Sequence, residues 1–201
     1  MVTPEDVLEF WFGEGDRDDP SINEAKKSLW WGHAPETDAE IDARFGKTLE
    51  AAGRGELDHW ADSPRGRLAL VIVLDQFSRN IHRGTGQMYA HDDRAVALVR
   101  DAIARDEHAS LAFFEKLFLY MPLMHTESDD GQAHCVRLFE QLVEDAPSEA
   151  LRAIAEPSLD YAIRHRDIVD RFGRFPHRNA LLGRESTAEE EEFLEQPGSS
   201  F

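Results

Sequence analysis

A chain of 201 residues with 40 acidic against 22 basic side chains carries a formal charge of −18. It is long enough for one sizeable core without disulfide or metal staples. A field of that sign repels polyphosphate, which excludes general binding to nucleic acid or to an anionic membrane.

The single cysteine, Cys135, rules out an intramolecular disulfide framework and fits a reducing compartment, so a cytoplasmic protein is expected. The first residues, MVTPEDVLEFWFGEGD, lack a basic segment followed by an apolar run, so no secretory signal is expected. The longest clean apolar stretch, residues 68–74, falls far short of a membrane span.

Helix-start signals recur along the chain and strand signals do not. Thr3-Pro4 is an N-cap with proline at the first helical position, opening an aromatic helix that Gly13 stops. Ser21-Ile22-Asn23-Glu24 and Thr37-Asp38-Ala39-Glu40 read as capping boxes for the next two helices, the second ending at Gly53. Ser63-Pro64 starts a long helix to about His82, apolar on all sides through residues 68–74 and therefore deeply buried.

Gly84-Thr85-Gly86 breaks the chain, and a helix follows from about Asp92. Another runs from Ser110 into Tyr120 with Pro122 near its end, and Ser128 caps the helix after it. Pro147-Ser148 and Pro157-Ser158 punctuate two further helices. Ser186-Thr187-Ala188-Glu189 is a last capping box. Eight to ten helices with short joins predict a single all-α domain over residues 1–195, with 196–201 as a frayed tail. The aromatics Phe10, Trp11, Phe12, Trp30 and Trp31 are expected in its core.

Four segments together carry a resemblance: FWFG near the start, LDQFSRNIHRG, YMPLMHTES, and RFGRFPHRNALLGRESTAEEEEFL near the end. The chain resembles the bacterial domain-of-unknown-function 924 family from Val7 to Leu194. That resemblance implies an all-helical, tetratricopeptide-like architecture; it implies no activity and no catalytic residues. The spacing here shows no 34-residue repeat.

Two polar motifs stand out among the apolar helices. On the long central helix, Leu68, Ile72, Asp75, Arg79 and Arg83 continue one stripe, with Gln76 and Asn80 beside it. Asp75 and Arg79 stand four apart and can pair, as a buried structural ion pair or as part of a pocket lined by Arg79, Asn80 and Arg83. The stretch from Arg164 to Arg184 holds six arginines against Asp167 and Asp170, a cationic island in an acidic chain.

Within that island Tyr161, His165, Ile168 and Phe172 share one helical face, which turns His165 inward. Asp160 with Arg164, and Asp167 with Arg171, are spaced to pair. Gly173 is placed to end the helix in the left-handed conformation, and Pro176 to open the next turn. Arg174, His177, Arg178 and Asn179 then gather at the two helix ends, where they can hold an anion, or the arginines can pair with Glu189, Glu190 or Glu191 as a C-terminal lock.

His125 is a candidate general base or ligand donor. No H-E-x-x-H, paired cysteine or phosphate loop is present, so neither zinc nor another cofactor is expected. The residues point to a pocket for a small anion, phosphate or carboxylate, lined by Arg79, Asn80, Arg83, His125, Arg171, Arg174, His177 and Arg178, and open to an enzymatic role. The other reading, from the resemblance, is a helical scaffold that binds a peptide or protein partner.

Overall fold

The computed structural model describes residues 2–200, which form helices and no strands. In chain order these are α1 (Pro4–Phe12), α2 (Ser21–Trp31), α3 (Pro35–Gly53), the central α4 (residues 64–81), α5 (Asp92–Ala104), α6 (Phe113–His125), α7 (Asp129–Glu144), α8 (Glu149–Phe172) and α9 (Ala188–Leu194). Short 3-10 turns fill several of the joins, among them Gly86–Tyr89 and Pro176–Arg178.

Helix α4 is the axis. Residues 68–74 are at most 1% exposed, and α3, α5, α6 and α1 all pack against it. An aromatic cluster from α1, with Trp11 and Phe12 against Trp30, Phe77 and Phe118, closes one side. Helices α6, α7 and α8 pack against one another in succession. A separate small cluster, Ile168, Val169 and Phe175 with Phe172 and Phe193 against it, seats α9 on the end of α8.

The central helix is not α-helical throughout. Pro64–Val71 is α, Ile72–Phe77 is π, and Ser78–Ile81 is α again. A π segment bonds five residues back instead of four, which shifts the face on which later side chains emerge. Asp75 and Gln76 lie inside it. The helix then ends at Ile81, so Arg83 sits in the following turn and does not extend the stripe of Asp75 and Arg79.

Several local expectations need correction. Ser21 caps nothing: the Asp19 carboxylate accepts the Ser21 N–H at 2.9 Å, and the chain enters α2 from Pro20. Helix α3 begins at Pro35, two residues before Thr37, which leaves Asp38 available for distant partners. Pro157 does not divide α8, one helix of 24 residues. Pro157 is exposed, so the carbonyl it releases meets water, and Ser158 Oγ donates to the Ile154 carbonyl at 3.2 Å.

Tyr161 and Trp31 are half exposed and lie outside the core. The last capping box is shifted by one: Thr187 is the cap, and its partner is Glu190. Of the spaced pairs on α8, Arg171 reaches Glu189, Arg166 takes Asp167, and the Arg164 guanidinium lies 5.7 Å from the Tyr161 ring centroid.

Gly173 ends α8 at φ 68° and ψ 3°, and its N–H donates to the Val169 carbonyl at 2.6 Å. A Cβ there would meet nothing within 4 Å, so the only cost of Gly173→Ala is the left-handed backbone. That variant is expected to lose about 1 kcal/mol, read as a lower urea midpoint at unchanged slope.

Candidate functional site

The π segment of α4 holds a carboxylate that is 1% exposed, Asp75. Three donors converge on it. His125 Nδ1, from the last turn of α6, donates to Oδ1 at 2.8 Å. Arg79, one turn along, approaches Oδ1 at 2.9 Å. Gln76 Nε2 donates to Oδ2 at 2.6 Å. Burial alone would raise the Asp75 pKa; the cation of Arg79 and the bonds from His125 and Gln76 reverse this and hold it well below the usual carboxylate range.

Arg79 carries the network outward. Both its Nη atoms donate to Asp92, the first residue of α5, at 2.9 Å each. Asp92 Oδ2 also accepts from Arg178 Nη1, at 3.4 Å. The Arg178 guanidinium lies between two rings, 4.5 Å from the Tyr89 centroid and 4.4 Å from that of Phe175. It is 6% exposed, and its Nε has no hydrogen-bond acceptor. Burial and the facing Arg79 push its pKa down from the usual arginine value, so this cation is held at a cost.

Histidines complete the cluster. The His125 ring centroid is 6.3 Å from that of His165, whose Nδ1 donates to the Tyr161 carbonyl at 2.7 Å. Phe175 lies 5.5 Å from His165 and 5.6 Å from His177. All three imidazoles are shifted towards the neutral form. Burial pushes His165 down to about 3 and His177 to about 4, and nearby cations add to it. His125 is lowered by burial and by Arg79, against the pull of Asp75.

Of the eight residues expected to line a pocket, the structure brings Arg79, His125, His177 and Arg178 together. It places the other four elsewhere, each with a partner. Asn80 and Arg83 both donate to Asp38 at the start of α3, Arg83 Nε at 2.6 Å. Arg171 reaches Glu189 on α9. Arg174 donates to Glu190 from Nε at 2.6 Å and from Nη2 at 2.7 Å. These hydrogen bonds lower the Glu190 pKa to about 2. Arg171 and Arg174 are therefore the C-terminal lock, and Arg178 is not part of it.

Sequence reasoning missed Asp92, Tyr89 and the partners of Glu127. Glu127 accepts both Nη atoms of Arg184 and the Phe175 N–H, which ties the segment after α8 to the loop after α6. Asp92 reads as an ordinary first-turn acid, and Tyr89 as a loop aromatic; neither carries a local signal of its role.

Two clefts lie away from this centre. One of about 570 Å³ is lined by Asp6, Glu9, Glu14 and Glu40 with Lys26 and Arg44, an acidic lining. One of about 350 Å³ opens beside Val2, His59 and Trp60. Among the described residues no group of three or more His, Cys, Asp or Glu is placed to hold a metal ion. No described helix is long and apolar enough to cross a membrane.

Fold and centre together define an all-helical protein built around a buried cluster of carboxylates, arginines and histidines. The chain belongs to the bacterial DUF924 family of proteins of unknown function, whose model matches residues 7–198. It is similar to the solved structure of ATU0120, a protein of unknown function from Agrobacterium tumefaciens, at 35% identity and a TM-score of 0.76 over 96% of each chain. No curated protein matches it.

The buried histidines predict a pH dependence. Their folded pKa values lie below the unfolded value of roughly 6.5, so the unfolded state binds more protons as pH falls. Stability is full above about pH 6.5 and declines below it by up to about 1.4 kcal/mol per pH unit for each such histidine. Urea unfolding between pH 7 and 4.5, above the carboxylate range, checks this. His165→Gln with His177→Gln is expected to flatten the slope.

Proposed function

We propose that this protein binds a small anionic molecule, through a carboxylate or phosphate group, at the centre formed by Arg79, His125, His177 and Arg178. The observation that carries this reading is Arg178. Its guanidinium is buried between Tyr89 and Phe175, its Nε lacks an acceptor, and its carboxylate contact, Asp92, is 3.4 Å away and already bound twice by Arg79. A buried donor left unmade costs roughly 1 to 3 kcal/mol, more for a charged group.

An oxyanion against Nε and the free edge of the fork relieves that cost in the two-point geometry arginine favours. Neutral His125 adds no charge beside an already cationic pair, and its Nε2 lone pair can accept from a hydroxyl of the same ligand. The aromatic faces of Tyr89 and Phe175 fix the plane of the guanidinium in advance.

A groove-binding scaffold draws less support. Among the described residues the exposed large apolar side chains are Trp31, Tyr161, Leu181 and Leu182, and the 570 Å³ cleft is charged, with four carboxylates beside Lys26 and Arg44.

The test is thermal unfolding against phosphate, sulfate and small dicarboxylates at constant ionic strength. At a hundred times Kd a binding anion is expected to stabilise the parent by about 2.7 kcal/mol. Arg178→Met should abolish that response. The double variant Arg171→Ala, Arg174→Ala should keep it while losing stability, because those arginines hold α9. A parent that no anion stabilises, or an Arg178→Met variant that responds like the parent, overturns the reading.

A further inference from the structure

We infer that His125 is a general base: its Nε2 takes a proton from a hydroxyl or water held beside the bound anion, and Asp75 is the residue that positions it. The inference deepens the anion-site reading and rests on it for the location of the reacting group.

A neutral imidazole has one N–H and one lone pair, and the hydrogen bond made by the first decides where the second points. Asp75 is ionised and can only accept, so the 2.8 Å contact places the proton of His125 on Nδ1. The lone pair is left on Nε2. Among the described residues that atom has no hydrogen-bond partner. The side chain as a whole is 17% exposed, against 1% for Asp75.

A base must be oriented as well as exposed, and here the orienting groups are themselves fixed. Asp75 cannot rotate freely, because Gln76 holds its other oxygen and Arg79 its shared one. Arg79 is clamped by Asp92. This is a carboxylate–histidine pair with a braced carboxylate, the arrangement that selects one tautomer and offsets the imidazolium once the proton has moved. In that step the O–H electron pair stays on oxygen, the proton passes to Nε2, and the new positive charge faces Asp75. The Arg178 guanidinium and the His125 ring are linked through the rings of Phe175 and His165. His165 Nδ1 donates to a backbone carbonyl, that of Tyr161, whereas His125 Nδ1 donates to a carboxylate.

Two measurements on the intact chain test it. The first is ¹⁵N NMR of the histidine side chains at pH 7. His125 is expected to show a protonated Nδ1 and an unprotonated Nε2; the opposite tautomer overturns the proposal, whatever any variant does. The second is carbethoxylation by diethyl pyrocarbonate, followed residue by residue by mass spectrometry. His125 is expected to react at least about tenfold faster than His165 and His177, and Asp75→Asn to slow it by about tenfold, the loss of one pKa unit of basicity.

Equal rates for the three histidines overturn the proposal. Inorganic phosphate is expected to protect His125. If His125 has the stated tautomer and reactivity but phosphate does not protect it, the anion site fails and the oriented base stands.

Discussion

The structure depends on one buried charge. Asp75 sits in the buried central helix directly after the apolar run of residues 68–74, with almost no contact with water. An isolated carboxylate there would be expected to take up a proton, since desolvation of the charged form is costly. It stays ionised because α4 supplies Arg79 and Gln76 and α6 supplies His125. From that pairing the network spreads to Asp92 on α5, Tyr89 in the loop before it, and Arg178 after α8. Four elements that are distant in sequence are thereby tied to a single carboxylate, in addition to their apolar packing.

Two kinds of arginine follow from this. Arg171, Arg174, Arg83 and Arg184 have partly open environments and carboxylates of their own, so they act as ties between elements. Arg79 and Arg178 are enclosed and share one carboxylate, Asp92. Exposed ties contribute little each, whereas an enclosed, under-served guanidinium is a strained feature that a ligand can relieve. The cationic island is thus divided by burial, between holding the C-terminal segment down and facing the polar centre.

The fold was legible because its signals are local. Thr3-Pro4, Ser63-Pro64, Ser128 and Gly173 do what their chemistry dictates, and the spacing of His165 and Ile168 turns both inward. Half of the centre was legible for the same reason: Asp75 and Arg79 stand one turn apart. The remainder depends on partners chosen in space. Asp38 reads as part of a capping box, yet it accepts from Asn80 and Arg83 more than forty residues away. The π segment left no trace, because a helix that is apolar all round has no face whose rotation would show it. Pro157 misled because its effect depends on whether the carbonyl it frees meets water.

The most direct test of this account is a double-mutant cycle between Asp75 and Arg79, measured by urea unfolding at pH 7. If Asp75 is ionised and Arg79 is its principal counter-charge, Arg79→Met should cost about 3 to 5 kcal/mol, because it leaves a buried carboxylate without its cation, and Asp75→Asn should cost less, because Arg79 keeps Asp92. The double variant should cost much less than their sum, with a coupling of at least about 2 kcal/mol. Additive losses, or an Asp75→Asn variant as stable as the parent, would contradict the claim that this buried charge organises the centre.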